Sequence, residues 1–291
     1  PILSFSKVHF RKHWNFSVTL LRNDLTIVIF DNLYNLVIGK FYSAALLGQF
    51  SRAKQFTDLS SSSIYRVLSN GISYPVLCKV SDNLDELKRL FQRFMRLIVF
   101  ISSTSTFFFV AVSDSFIPFV IGDKWMIAVK FVKIISISAF LFPINTYNIS
   151  VAKVIGKPRI FANAVLIQRL LIIPAVVVGI FTNVDVLIWG TAITSMFSLF
   201  YNSQKVKQML QIPLKEQFSL IINVITIPLI CAIAIYSIWL LMPKINLGHI
   251  LMIQLISGVA LLIGLCEWRK QVEYIELKTI VKGEITKILR K

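Results

Sequence analysis

Acidic side chains are scarce in this 291-residue chain, with fourteen Asp and Glu against thirty-one Lys and Arg and a net charge of +17. Charged residues of both signs make up only 15%. A water-soluble domain of this size carries about a quarter, so a soluble globular fold is the first class to go. Cysteine is rare too: Cys78, Cys231 and Cys266 lie too far apart for a disulfide framework or a metal site and read as small apolar side chains. The three histidines, His9, His13 and His249, fall in loops or at span ends. No HExxH, GxSxG or Walker pattern occurs, and so few acids leave no carboxylate pair for proton transfer. No catalytic residue, metal or cofactor is expected, and an enzyme is the weaker class.

What the chain has in quantity is apolar sequence: 56% of residues are hydrophobic, with a mean hydropathy of +0.72. Residues 218–243 hold no Lys or Arg. About twenty such residues, rising 1.5 Å each, cross a hydrocarbon core of about 30 Å. A window of that order finds eight candidate spans: 16–38, 49–76, 97–121, 126–151, 160–181, 186–201, 218–241 and 247–265. The fold expected is an all-α polytopic membrane bundle of about eight transmembrane helices, forming one transmembrane domain over 1–291. The first apolar run is long and preceded by Lys7, Arg11 and Lys12, unlike a cleavable signal peptide. The chain starts at Pro1 without Met, so a truncated N-terminus is expected.

The basic residues alternate between connections. They crowd the N-terminal arm, the second connection (Lys79, Lys88, Arg89, Arg93, Arg96), the fourth (Lys153, Lys157, Arg159), the sixth (Lys205, Lys207, Lys215) and the tail after Arg269. The odd connections hold little beyond Lys40, Lys124 and Lys244. Cytoplasmic loops are enriched in Lys and Arg, so the alternation predicts a multi-pass protein of the bacterial inner membrane with both ends cytoplasmic. It also explains most of the +17 without nucleic acid as a partner.

Two amphipathic segments lie outside these spans. Asn83 with Glu86 forms a capping-box pattern, followed by Leu84, Leu87, Leu90, Phe91, Phe94 and Met95 at helical spacing. The tail repeats the theme less regularly with Trp268, Val272, Ile275, Val281, Ile285 and Leu289. Both are expected to anchor on anionic membrane lipid at the interface. Lys130 and Lys133 lie close enough to an outer end to snorkel. Ser102 to Thr106 read as packing residues. Pro143, Pro174 and Pro228 fall inside spans, where neighbouring protein or water must make them tolerable.

The polar residues of the first two spans carry the functional signal. In the second, Arg52, Gln55, Ser62, Arg66, Asn70 and Ser73 lie within about 100° of one another at helical pitch. In the first, Asp24, Asp31 and Asn35 share a stripe, with Arg22 on another side. Each would cost several kcal/mol in lipid and should face a bundle interior or a wet cavity. A structural ion-pair network is one reading. The other is a hydrophilic passage whose arginines bind an anionic headgroup, since the guanidinium fork grips phosphate bidentately and keeps its charge. The path candidates are Arg66, Asp31, Arg52, Asp24, Asn70, Arg22 and, deeper in the fifth span, Arg169.

Several short strings stand in a telling order: Ile38-Gly39-Lys40, Leu47-Gly48-Gln49-Phe50, Tyr74-Pro75, Ser81-Asp82-Asn83, Gly122-Asp123-Lys124-Trp125 and Gly156-Lys157-Pro158. In this the chain resembles the bacterial polysaccharide transporters, the Wzx-like O-antigen flippases of the multidrug/oligosaccharidyl-lipid/polysaccharide exporter superfamily. The resemblance implies a C-terminal lobe of six helices (1–201), two additional helices (218–265) and a basic tail (266–291). It also implies movement of an undecaprenyl-pyrophosphate-linked oligosaccharide by alternating access. The partners implied are that lipid-linked saccharide and either a missing N-terminal lobe or another glycan-assembly membrane protein. A cation-coupled small-molecule exporter of the same superfamily, a membrane enzyme of glycan assembly and a structural membrane subunit are the alternatives.

Overall fold

The computed structural model describes residues 28–30, 32–65, 72–242 and 246–279, with helices and short connections and no strand among them. The chain divides into two compact units, Pro1–Leu47 and Gly48–Lys291. The first contains α1, helical over 28–30 and 32–41. There Asn32 Nδ2 donates to the Val28 carbonyl at 2.9 Å, and Tyr34, Val37 and Ile38 form its buried face.

The other helices are α2 (Ala44–Tyr65), α3 (Tyr74–Lys79), α4 (Leu84–Ile121), α5 (Met126–Val154, after a 3-10 turn at Asp123–Trp125), α6 (Pro158–Leu170), α7 (Ile172–Phe181), α8 (Val184–Leu210), α9 (Leu214–Leu241), α10 (Leu247–Trp268) and α11 (272–279). Six described stretches are long and apolar enough to cross a bilayer: Leu84–Ile121, Asp123–Val154, Arg159–Phe181, Val184–Leu210, Leu214–Leu241 and Leu247–Trp268. They coincide with the last six expected spans. The first expected span lies largely outside the described residues. The second corresponds to α2, which is long enough to cross but too polar to count among the six.

The Asn83 side chain accepts the Glu86 backbone N–H at 3.2 Å and starts α4 where the capping pattern placed it. The interfacial reading of the segment that follows is corrected. With no breaker between Leu84 and Phe100, the segment runs unbroken into the span, giving 38 residues and about 57 Å of helix. Its apolar stripe lies on protein rather than lipid. Leu87, Phe91 and Met95 are buried, and Phe91 stacks on Tyr147 of α5 at 5.0 Å between ring centroids. In the tail, Tyr274 and Leu277 pack on the main core, while the expected stripe residues Trp268, Val272 and Ile275 are exposed on its other side.

Contact register fixes the helix directions. Along α4 and α5 the partners run in opposite senses, Asp114 with Lys133, Ser102 with Phe140, Phe91 with Tyr147. Along α5 and α8 they run in the same sense, Lys130 with Asp185, Asn145 with Asn202, Asn148 with Ser203. Helix α10 runs against α4, with Ser115 bonded to Gln254 and Gly258 facing Phe108. Successive crossings therefore alternate. The start of α4 and the connections α5–α6, α8–α9 and α10–α11 all meet at one end, here the basic end, and Trp125 marks the other.

Pro143 and Pro228 are carried inside unbroken α5 and α9. Pro174 is not: the chain breaks at Leu171, because the proline offers no N–H to the Leu170 carbonyl and its ring crowds that turn.

Helices α7 and α8 return on each other through Thr182 and Asn183, and Gly179 makes the approach possible. A Cβ there would stand 2.6 Å from Leu187 Cβ and 2.8 Å from its Cα. Backbone cannot yield as a side-chain tip does, so the clash outweighs the roughly 1 kcal/mol that alanine gains over glycine in a helix. Gly179→Ala is expected to cost about 1–3 kcal/mol as overpacking. Gly264→Ala, where a Cβ meets nothing within 4 Å, is the matched control and should be neutral or stabilising. Melting of the two purified variants side by side checks the contrast.

Candidate functional site

Helix α2 buries Phe50, Ala53, Thr57 and Ser61, spaced three, four and four apart. Thr57 Oγ1 donates to the Ala53 carbonyl at 3.0 Å and Ser61 Oγ to the Thr57 carbonyl at 3.2 Å, so the buried hydroxyls are satisfied within the helix. The opposite face carries Arg52, Gln55, Asp58 and Leu59, all exposed. A polar face that turns away from the core of its own unit, in a bundle otherwise clad in Ile, Leu and Phe, is the most distinctive surface of the described residues.

The end of α2 nearest Trp125 is held by two of the short strings that carried the resemblance. Gln49 Nε2 donates to the Lys124 carbonyl at 2.6 Å, while its Oε1 accepts the Ala128 N–H at 2.9 Å. Ala128 lies in the first turn of α5, where backbone N–H groups have no helical partner. The Trp125 ring lies 3.9 Å from where a Cβ on Gly48 would stand, an ordinary van der Waals distance. Gln49→Leu keeps the bulk but strands the Ala128 N–H. It is expected to cost about 1–3 kcal/mol, read as a lower melting temperature with insertion intact.

Two of the seven path candidates fall among the described residues. Arg52 lies beside the turn between α4 and α5: its guanidinium carbon is 5.7 Å from the Trp125 ring centre and Nη1 donates to Gln55 Oε1 at 2.9 Å. Arg169 is half-buried in the last turn of α6, two residues before the break at Leu171. Arg66, Asp31, Asp24, Asn70 and Arg22 lie outside the described residues.

Several polar groups inside the six spans bond across helices. Lys133, expected to snorkel, is paired with a carboxylate. Its Nζ lies 2.8 Å from Asp114 Oδ2 and 5.2 Å from the centre of the Tyr236 ring on α9. Lys130 is likewise drawn to a partner, Asp185, at 2.6 Å. The first pair had a legible signal: Asp114 stands seven residues before the end of α4 and Lys133 seven after the start of α5, so a helical hairpin sets them at one depth. Asn202 Nδ2 donates to Asn145 Oδ1 at 3.2 Å, and Gln217 Nε2 to the carbonyls of Ile212 and Ser203 at 2.9 and 3.2 Å. Ser102 Oγ reaches the Phe140 carbonyl and Ser105 Oγ the Ser60 carbonyl, at 3.0 and 2.8 Å. These bonds tie helices together. Among the described residues no group of His, Cys, Asp and Glu is placed to hold a metal. Cys231 and Cys266 are buried, while Cys78 is exposed.

Residues 1–130 match a family described as "Polysaccharide biosynthesis protein". The chain is 20% identical over 179 residues to the lipopolysaccharide biosynthesis protein WzxC of Escherichia coli (strain K12), covering 62% of this chain and 36% of that protein. It is 24% identical over 157 residues to the teichuronic acid biosynthesis protein TuaB of Bacillus subtilis (strain 168), covering 54% and 32%. The match thus takes in about a third of each curated relative. Among solved structures, the lipid II flippase MurJ in an inward closed conformation superposes with a TM-score of 0.69 at 17% identity, over 92% of this chain and 57% of that one. Six stretches long and apolar enough to cross a bilayer in an all-helical bundle, taken with these matches, make the chain a multi-pass membrane protein whose first 130 residues are similar to polysaccharide biosynthesis proteins.

Proposed function

We propose that the chain moves an undecaprenyl-pyrophosphate-linked oligosaccharide from the cytoplasmic to the outer leaflet of a bacterial inner membrane, by alternating access and without covalent chemistry. The observation that carries this reading is the exposed polar face of α2, with Arg52 and Gln55 turned away from the buried face, whose Thr57 and Ser61 hydroxyls are satisfied within the helix. Against acyl chains that face would cost several kcal/mol; against a wet passage it costs little. A lipid-linked saccharide keeps its polyprenyl tail in the bilayer, so only its charged, hydroxyl-rich head needs such a path. Arginine answers the pyrophosphate, and the relatives' names point to saccharide polymers of the cell surface.

The basic end is the cytoplasmic one in this proposal, by the bias of Lys and Arg toward that side. The opposite wall of the passage is a second helical lobe, from the same polypeptide or from another membrane protein of glycan assembly. Depleting the chain from its host is the direct test. The lipid-linked precursor should accumulate in the cytoplasmic leaflet while surface polysaccharide falls. Undiminished surface polysaccharide, with sensitivity to small toxic cations instead, would favour the exporter and sink the proposal.

A further inference from the structure

The basic end bears a second polar concavity that includes no residue of α2. Helix α4 projects well past a bilayer's apolar thickness there, and α11 lies beside it, joined by Arg93 Nε to Glu276 Oε1 at 2.6 Å. Two adjoining cavities open between them, of about 600 and 260 Å³. Arg89, Arg93 and Arg96 line the larger; Arg96, Arg269 and Lys270 line the smaller. Arg96, Val272 and Glu273 belong to both.

The cations are in excess and partly uncommitted. Arg93 is engaged by Glu276, and Glu273 accepts from Gln271 Nε2 at 2.8 Å. Arg89 has only a loose 3.8 Å pairing with Glu86, both open to water. Among the described residues, Arg96 and Lys270 make no side-chain hydrogen bond or ion pair, and Arg269 lies 6.0 Å over the ring of Trp268. Beside this charge stand apolar groups facing out: Trp268 is 76% exposed, Val272 61% and Ile275 48%. An indole at a helix end next to arginine is the usual furniture of a membrane–water interface. Uncommitted cations that flank exposed apolar groups suit an amphiphile with an anionic head.

We infer that the cleft between the N-terminal half of α4 and α11 binds the headgroup phosphate of an anionic glycerophospholipid such as phosphatidylglycerol, with Arg96 shared between its two chambers. Arg96, Arg269 and Lys270 grip the phosphate, and Val272 and Ile275 meet the glycerol ester region. The inference needs only that the basic end lies at a membrane surface, and is independent of what the protein transports.

The test uses the full chain reconstituted in bilayers of equal parts phosphatidylglycerol and phosphatidylcholine, extracted gently, with retained lipid counted by native mass spectrometry. The expected result is retention of phosphatidylglycerol over phosphatidylcholine, falling roughly tenfold or more in Arg96→Gln, as loss of a charge-assisted bond to phosphate predicts. Arg96 is exposed and makes no side-chain hydrogen bond or ion pair among the described residues, so this variant should melt like the parent; Arg269→Gln with Lys270→Gln gives a second route to the same loss. Lys205→Gln with Lys207→Gln removes two charges from the same end outside the cleft and should leave retention unchanged. Equal retention of the two lipids, or equal loss in the Lys205 and Lys207 control, overturns the inference. So does displacement of the lipid by inorganic phosphate, which would make the cleft a site for a soluble anion. No transport is measured, so failure here and failure of the flippase reading are separate results.

Discussion

An Arg66→Ala chain is expected to accumulate and insert like the parent but to restore surface polysaccharide to a depleted host roughly tenfold to a hundredfold less well. Arg66 lies outside the described residues, so the expectation is built on spacing. It follows Arg52 by fourteen residues, close to four helical turns, and shares the stripe of Gln55, whose side chain is exposed in the structure. A guanidinium bound to phosphate in a bidentate pair contributes about 1.5–3 kcal/mol, a factor of about ten to more than a hundred in the occupancy of the step it serves. Arg66→Lys keeps the charge and loses the fork, and should fall between alanine and the parent. Full restoration by the alanine variant would leave the stripe as an ion-pair network that holds helices in register. Poor insertion of both variants would say the same by another route.

How far the chain could be read in advance follows from the range of each signal. The positions of the last six spans and the Asn83 cap rest on periodicity and on neighbours three or four residues apart, and these emerged as expected. The length of α4 did not, because an apolar stripe such as Leu87, Phe91 and Met95 looks the same whether lipid or Tyr147 will cover it. The break at Leu171 was ambiguous for a similar reason: Pro143, Pro174 and Pro228 are equivalent in sequence, and only packing decides which turn opens. Gln49 and Trp125 showed themselves as family-like strings, yet the reason for them, a side chain capping α5 from seventy-nine residues away, exists only in three dimensions. Of the candidate path, Arg52 proved to sit by Trp125 at one end of the bundle.

Lys133→Met should be the most damaging single change to stability among the described residues. Asp114 is short and its side chain only 9% exposed, whereas the Lys133 side chain is 36% exposed and long enough to find water if its partner is lost. The two halves of the pair are therefore unequal. Removing the cation strands a buried carboxylate in an apolar hairpin and is expected to cost about 3–5 kcal/mol, a fall in melting temperature on the order of 10 °C. Asp114→Asn leaves an ammonium that reorients toward water while keeping its approach to the Tyr236 ring, and should cost less than half as much. Joining the two substitutions removes the stranded charge, so the double variant should recover most of what Lys133→Met loses. Thermal unfolding of the three purified proteins decides the matter. Equal losses for the two single variants would mean that the lysine has no route to water, and a double variant as weak as Lys133→Met would mean that shape rather than charge holds α4 against α5 at this depth.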